Sequence, residues 1–428
     1  MIKKRTQTLM EMDKKNIWHP LTQHKHVDGL LPIKKAKAEL LYDVDNKKYI
    51  DAIASWYTSM FGHCHPKVVD AVSDQMKDLD QIVFSGFTHE PAIELSQKLI
   101  DILPDNQLKL FFNDNGSTAT EIGIKMALQY HSNQGNHRNV MLAFEDGFHG
   151  DTLGAMSVSG LSVYNGAFKE HFIKVKRLPK PNGSNNDEVI RILKEIIKEN
   201  KIAGFIYEPL IQGAAGMKTY DEDGLGLIMR TCKDNGIICI ADEVMTGFGK
   251  TGKNFASDYL PIKPDVICMS KALSAGMIPM GITSCSERIY QAFYDDDISK
   301  GLFHGHTYTG NPLACAAAIA AIELLQSSKI QQNISSIIKL NQVFAQKLSQ
   351  ATKVKNVRTK GVILAFELNI EMDRYGSLRD ELYNFFMSQG VFLRPLGNTI
   401  YILPPFVIKK RNLQRIHKAI LKCLKEFN

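Results

Sequence analysis

The sequence predicts an α/β protein in which a large domain, built around a mainly parallel sheet, is joined to a smaller α+β domain. A chain of 428 residues is longer than one small core needs, which favours two domains. Short β-rich runs alternate with longer helical patterns through its middle, as they do in parallel strands joined by helices. With 44% apolar and 23% charged residues, the composition indicates a globular rather than a disordered chain.

Six runs are predicted to be strands of the central sheet. They are residues 108–112, 140–144, 204–207, 237–240, 266–269 and 282–285. Between the first two, residues 118–130 place apolar side chains at the i, i+3, i+4 and i+7 spacing, which predicts a helix with one buried stripe. Thr118 and Glu121 have the spacing of a capping box at the start of this helix.

The two ends of the chain are predicted to lie outside this sheet. Near the N-terminus, residues 38–42 and 48–50 resemble the strands of a hairpin. Near the C-terminus, a long amphipathic stretch is followed by three strand-like runs, at residues 330–348, 362–367, 391–394 and 399–403. We therefore expect an N-terminal segment (1–55) that contributes to the small domain, a large cofactor-binding domain (56–329) and a C-terminal small domain (330–428).

Charge and cysteine usage restrict the class of partner. The net charge of +7 is modest, and no basic motif interleaved with aromatic residues accompanies it, so a solvated basic face is favoured over a nucleic-acid site. Seven scattered cysteines without a Cys-x-x-Cys pair indicate a reducing compartment. The basic N-terminus lacks the apolar segment of a secretory signal, and no apolar run reaches the ~20 residues of a spanning helix. We expect a cytoplasmic protein that acts on small molecules, without a nucleic-acid or membrane partner.

Chemically reactive side chains follow two of the predicted strands. Asp242 and Lys271 both come at the carboxyl ends of strands, the edge where open α/β sheets bind ligands. Alone, either residue is better explained as a surface residue or a helix cap. Gly116 and Ser117 lie in the turn that leads into the predicted helix, where free N–H groups can bind phosphate. A cofactor that stabilises a carbanion needs a lysine for an imine, an acid for its ring nitrogen and a phosphate site, and all three are present.

Three motifs, in this order and spacing, resemble the class III aminotransferases. They are Phe205-Ile206-Tyr207-Glu208-Pro209, then Asp242-Glu243-Val244-Met245-Thr246-Gly247-Phe248-Gly249-Lys250-Thr251-Gly252, then Ser270-Lys271-Ala272-Leu273. The resemblance covers nearly the whole chain. It implies a fold type I enzyme dependent on pyridoxal 5'-phosphate, with a seven-stranded sheet, active as a homodimer with its sites at the subunit interface. Lys271 would carry the cofactor as an imine, and Asp242 would hold its ring nitrogen.

Further segments resemble the branch of that family that aminates 8-amino-7-oxononanoate in biotin biosynthesis. They are Trp18-His19-Pro20, Ser55-Trp56, the run from Phe148 to Thr152 and Arg394-Pro395. The resemblance implies cofactor contacts from Gly116, Ser117, Phe148, Glu208, Asp242, Val244, Lys271, His306 and Thr307, the last supplied by the other subunit. It implies substrate contacts from Trp56, Phe148, Asp151, Lys271, Gly305, Arg394 and Tyr401. Arg394 would bind the acceptor carboxylate, which suits its planar, bidentate fork.

Three departures from that branch concern the substrate pocket. Leu21 and Phe148 stand where better-known members have tyrosine, and Lys250 replaces an arginine. S-adenosyl-L-methionine is the expected amino donor and lysine is the alternative. Ornithine- or 4-aminobutyrate-type aminotransferases and an aminomutase share the core motifs. From a different class, a non-catalytic regulator that binds the cofactor is the alternative, but no separate basic domain precedes residue 40.

Two other signals are set aside. Residues 247–253 nearly match a nucleotide-binding phosphate loop, but Asn254 stands where the hydroxyl ligand of magnesium is required. Three His-x-His pairs lack a third ligand at metal-binding spacing, so no metal site is expected.

Overall fold

The computed structural model describes residues 4–27, 29–162, 164–370 and 376–427. The strands, numbered β1 to β16 in chain order, are Ile33–Lys37, Leu40–Asp43, Lys48–Asp51, Gln107–Asn113, Val140–Phe144, Val175–Leu178, Ile202–Tyr207, Ile211–Gln212, Lys218–Thr219, Ile238–Asp242, Val266–Met269, Gly281–Ser286, Val354–Lys360, Ile363–Leu368, Val391–Phe392 and Thr399–Ile402. The helices, α1 to α13, are Lys4–Asn16, Ala54–Tyr57, Pro66–Asp78, Glu90–Ile100, Gly116–Asn133, Leu153–Val158, Asn186–Glu199, Glu222–Asp234, Glu287–Gln291, Pro312–Gln326, Ser328–Ser349, Ser377–Ser388 and Lys410–Glu426.

The central sheet has seven strands in the order β4-β12-β11-β10-β7-β5-β6. Strand β12 runs antiparallel to both of its neighbours, and the other pairs are parallel. This confirms the predicted α/β class and the mainly parallel sheet. All six predicted strands are present, with ends shifted by at most two residues. The edge strand β6 was not predicted, because two of its four residues, Lys176 and Arg177, are charged and only one of its neighbours is a strand.

The predicted helix at residues 118–130 is α5, and it packs against β11 and β12. It starts two residues earlier than predicted because Asn115 caps it. The Asn115 side chain accepts a hydrogen bond from the Thr118 N–H at 3.0 Å, and the Thr118 hydroxyl accepts one from the Asn115 N–H at 3.1 Å. The predicted capping box of Thr118 with Glu121 is therefore wrong. Glu121 instead accepts from the backbone N–H groups of Gly154 and Ala155, at 2.8 and 3.1 Å.

The two ends of the chain come together in a second sheet. Strands β1, β2 and β3 form an antiparallel meander, and β15 adds to it parallel to β3. The predicted hairpin and the strand-like C-terminal runs are thus present. Strands β13, β14 and β16 form a separate antiparallel sheet covered by α11. This arrangement is compatible with the proposed division at residues 55 and 329, which stays a prediction.

Among the described residues, no single helix is long and apolar enough to cross a membrane. Only α10 and α11 taken together reach that length and hydropathy, and the two are bent by 65°. Most residues of α10 are buried, which accounts for its apolar composition.

Candidate functional site

Lys271 and Asp242 lie at the same edge of the central sheet. Asp242 ends β10, and Lys271 comes two residues after β11, the strand that pairs with β10 in parallel register. Lys271 has a left-handed backbone (φ 53°) and begins a short 3₁₀ turn. Its Nζ lies 5.3 Å from the ring centre of Tyr57, and burial lowers its pKa. The predicted pair of an amine and a carboxylate is thus brought together.

Asp242 is buried and tightly bound. Its Oδ2 lies 2.7 Å from Nδ1 of His149, and its Oδ1 accepts a hydrogen bond from the Val244 N–H at 3.1 Å. Since a carboxylate is the acceptor, His149 donates from Nδ1. The Nε2 of His149 is buried without a hydrogen-bond partner among the described residues. His149 had been noted only as part of a family motif, because nothing in the sequence pairs its loop with β10.

A narrow turn lies beside these groups at the start of α5. At Gly116, an added Cβ would come within 2.8 Å of the Val244 side chain, so only glycine fits without a shift. The hydroxyl of Ser117 accepts from the Asp151 N–H at 3.1 Å. Gly150 has φ of 131°, and a Cβ there would lie 2.3 Å from the Ser117 Oγ. The backbone is therefore closely packed around Gly116 and Ser117, and binding of a phosphate at this helix N-terminus stays a prediction.

Glu208 connects Phe148 to this centre. The Phe148 N–H donates to Glu208 Oε1 at 3.0 Å, and the Gly213 N–H donates to Oε2 at 2.8 Å. Burial raises the pKa of Glu208 to about 7, and the nearby charge of Asp242 adds to this effect. The ring of Phe148 is 41% exposed, so one face is free to contact a ligand. Glu208 thus fixes the backbone that carries this ring.

The residue next to Tyr57 in the chain, Trp56, contacts an exposed arginine. The Arg394 guanidinium lies 5.3 Å from the Trp56 ring centre, a cation–π distance. Tyr401 is buried, and its hydroxyl accepts a hydrogen bond from the Tyr57 hydroxyl at 3.0 Å. The sequence predicts Trp56, Arg394 and Tyr401 as site residues. It does not predict Tyr57, since a position next to Trp56 gives no separate signal.

The loop that carries Gly305, His306 and Thr307 reaches the same region through Asp114. Nδ1 of His306 lies 2.9 Å from Asp114 Oδ2, directly before the turn at the start of α5. Nε2 of His306 lies 2.7 Å from Nε2 of His304. Thr307 is exposed. That it reaches a partner's cofactor stays a prediction.

Lys250, the residue that departs from the family motif, is fully buried. Its Nζ donates to the carbonyl of Gly247 at 2.8 Å. Burial and, secondly, the positive charge of Lys271 lower its pKa to about 7 from an ordinary value of 10.5. Sequence alone could not predict this burial, because a lysine in a glycine-rich turn is usually solvated.

We expect Lys250→Met to stabilise the fold in a pH-dependent way. The unfolded chain keeps the lysine proton to higher pH than the folded chain does, so this residue destabilises the protein most below about pH 7. This destabilisation of the folded state disappears as pH rises toward 10.5, the ordinary pKa of lysine. The thermal midpoint of Lys250→Met should exceed that of the parent most at neutral pH or below, with a gap that narrows at alkaline pH. Exposed Lys253→Met is the control, and the same pH dependence in both variants would contradict the assignment.

Comparisons with known proteins show the family to which this chain belongs. Residues 22–424 match the family described as Aminotransferase class-III. Over 96% of this chain and 99% of the relative, the sequence is 38% identical to the adenosylmethionine-8-amino-7-oxononanoate aminotransferase of Synechococcus elongatus. The crystal structure of the enzyme with that name from Methanocaldococcus jannaschii is 33% identical and superposes with a TM-score of 0.94, covering 98% and 99% of the two chains. A PLP-bound amine transaminase from an uncultivated Pseudomonas species is 27% identical, with a TM-score of 0.91 over 96% and 99%.

Proposed function

This chain belongs to the class III aminotransferases, and we propose that it transfers an amino group to 8-amino-7-oxononanoate in biotin biosynthesis. The observation that carries this proposal is the placement of three groups. Lys271 and Asp242 meet at adjacent strand ends, and Arg394 lies exposed over Trp56, next in the chain to the Tyr57 that Lys271 contacts. An amine, an acid and a carboxylate receptor are what amino transfer to a keto acid requires.

The family implies pyridoxal 5'-phosphate as the cofactor, and the residues present suit that group. When bound, it supplies an electron sink for the carbon that loses a proton. Asp242, held by His149, would pair with its ring nitrogen, and Gly116 and Ser117 would bind its phosphate. Phe148 and Val244 would contact the faces of its ring.

In the proposed reaction Lys271 anchors the cofactor and then, once displaced by the donor amine, moves a proton between two carbons of the reacting system. A lysine at its ordinary pKa is almost entirely protonated at neutral pH and is a poor base. Burial of Lys271 lowers that pKa and so enlarges the neutral fraction. Asp242, held by His149 and Val244, would stay beside the site of the ring nitrogen through both half-reactions.

For the acceptor, we propose that Arg394 binds the carboxylate and that Trp56 forms a wall of the same pocket. An exposed arginine whose guanidinium lies 5.3 Å from a ring centre still has N–H groups to offer for a bidentate contact. Asp151, Gly305 and Tyr401 complete the proposed set of substrate contacts.

Arg394→Lys should raise the KM for the keto acid about tenfold or more and leave the half-reaction with the donor alone unchanged. A lysine keeps the charge but loses the bidentate fork, which is worth about one to two hydrogen bonds. Initial rates at varied acceptor concentration test this, with Arg411→Lys on α13 as the control. Equal KM values for the parent and Arg394→Lys would remove Arg394 from the acceptor site.

For the amino donor, we propose S-adenosyl-L-methionine, which the names of the relatives mention, with lysine as the alternative. Neither Leu21 nor Phe148 offers the hydroxyl of a tyrosine, so a donor that needs such a hydrogen bond would lose roughly 1 kcal/mol there. The deciding experiment mixes the cofactor-loaded enzyme with one amine at a time and follows the visible absorbance over a single turnover. We expect S-adenosyl-L-methionine to change the spectrum and 8-amino-7-oxononanoate to restore it.

The same experiment separates the rival functions. Ornithine or 4-aminobutyrate as the fastest amine would indicate an enzyme of another acceptor class. No spectral change with any amine would favour a non-catalytic regulator and would overturn the proposal.

We also propose a homodimer in the cytoplasm. Beside Thr307, the side chains of Phe303 and Tyr308 are 74% and 63% exposed, and a second copy of the chain would cover them. All seven cysteines are free thiols, which suits a reducing compartment. Light scattering of the purified protein should give twice the chain mass.

A further inference from the structure

A strained turn carries the aromatic part of the proposed acceptor pocket. The four residues of α2, Ala54, Ser55, Trp56 and Tyr57, have φ of 47°, 46°, 66° and 71°. None of them is glycine, and L-residues avoid this left-handed conformation because Cβ crowds the following carbonyl oxygen. Four such residues in succession persist only when the surrounding structure holds them.

The contacts that hold the turn converge on one buried carboxylate. Asp51 is fully buried, and its Oδ2 accepts hydrogen bonds from the Ser55 hydroxyl at 3.0 Å and from Nε2 of His63 at 2.8 Å. Its Oδ1 accepts from the Ile53 N–H at 3.2 Å. Hydrogen bonds to a buried, ionised acceptor are among the strongest in proteins. We name Asp51, Ser55 and His63 the Asp51 clamp.

The turn places two consecutive rings against two different groups of the site. Trp56 faces the Arg394 guanidinium at 5.3 Å, and Tyr57 faces Nζ of Lys271 at 5.3 Å. In an extended strand, consecutive side chains point to opposite faces, and in a right-handed helix they lie about 100° apart. Here, the left-handed turn brings one ring to the arginine and the next to the lysine. The separation between the proposed acceptor site and Lys271 therefore depends on this backbone.

We propose that the Asp51 clamp determines acceptor recognition by fixing Trp56 under Arg394. Asp51, Ser55 and His63 are positioning residues in this account, since none of them needs to touch the substrate. The inference rests on the proposed function in one respect, the role of Arg394 as the acceptor carboxylate site. Loss of one clamp contact would let the strained turn relax toward ordinary backbone angles and move Trp56 away from Arg394.

The test uses the two tryptophans of the chain. Trp18→Phe leaves Trp56 as the sole tryptophan, so its fluorescence anisotropy in the cofactor-loaded enzyme reports the mobility of the turn. In this background, His63→Leu should lower the anisotropy and raise the acceptor KM about tenfold. The donor half-reaction should stay unchanged within about twofold, because the hydrogen bond from the Tyr57 hydroxyl to Tyr401 still holds Tyr57 at Lys271. His63→Gln, whose amide can still donate to Asp51, should restore much of both values. His65→Leu, in the same loop but outside the clamp, is the matched control.

A second variant guards against a folding defect. Ser55→Ala removes one clamp hydrogen bond without changing the loop of His63, and it should shift anisotropy and acceptor KM in the same direction. Unchanged anisotropy, or an unchanged acceptor KM with altered anisotropy, in both His63→Leu and Ser55→Ala would overturn the proposal. Failure of the parent enzyme to use any keto acid would instead overturn the proposed function, because it does not depend on the clamp variants.

Discussion

Lys271→Ala is expected to abolish turnover, with a fall of at least about 10⁴-fold, while the protein still folds. This substitution removes both proposed roles of the Lys271 amine, the anchoring of the cofactor and the movement of a proton. The amine of Lys250 does not replace it, because that side chain is fully buried and bonded to the Gly247 carbonyl. Alanine shortens a half-buried side chain at the edge of the sheet, so little packing is lost.

Turnover and the absorbance of the imine that Lys271 would form with the cofactor measure this expectation. Both should be lost in Lys271→Ala and kept in Lys201→Ala, a control at an exposed lysine just before β7. A small amine such as methylamine, added to Lys271→Ala, should restore part of the proton transfer, since it can fill the space that the side chain left. Normal turnover in Lys271→Ala would refute the assignment.

The residues that were predictable from sequence are those whose position follows from the strands. Asp242 and Lys271 each end a run of apolar, β-rich residues, and parallel strands bring such ends to one edge whatever the rest of the fold does. Gly116 was predictable for a related reason, because a helix that follows a strand exposes its first N–H groups at the same edge. For these positions local pattern and global topology agree.

Residues held by contacts distant in sequence were not predictable in this way. His149 reaches Asp242 across 93 positions, and Tyr57 reaches Tyr401 across 344. No sequence periodicity predicts such a pairing, since a polar or aromatic residue at any one position has many other structural explanations. The capping box failed differently: Asn115 and Thr118 have the same spacing as Thr118 and Glu121, and only the direction of Glu121 toward Gly154 decides between them.

Lys250 and the Asp51 clamp share a physical feature that sequence reasoning tends to miss. Each places charge in the interior, where an unpaired ion is strongly disfavoured, and each lies close to the proposed site. Asp51 is satisfied by three donors, whereas Lys250 donates to one carbonyl. A buried cation beside Lys271 disfavours a second positive charge there. The same repulsion, exerted by Lys271 on Lys250, adds to the burial that lowers the pKa of Lys250.

Asp242→Asn should leave cofactor binding largely intact and slow the donor half-reaction by about 10²- to 10³-fold. Asparagine keeps the size of the side chain and an oxygen that can accept the Nδ1–H of His149 at this 2.7 Å contact. It loses the negative charge that favours a proton on the ring nitrogen, and with it the electron sink. Rapid mixing with S-adenosyl-L-methionine would measure the rate, with exposed Asp234→Asn as the control.

The distinction between binding and rate makes this variant informative. If Asp242 only held the cofactor in place, Asp242→Asn would weaken retention of the cofactor on dialysis and leave the rate of the loaded enzyme unchanged. If the charge matters, as we expect, retention stays near that of the parent and the rate falls. A buried carboxylate whose Oδ1 and Oδ2 are already bonded to Val244 and His149 is costly to keep for stability alone.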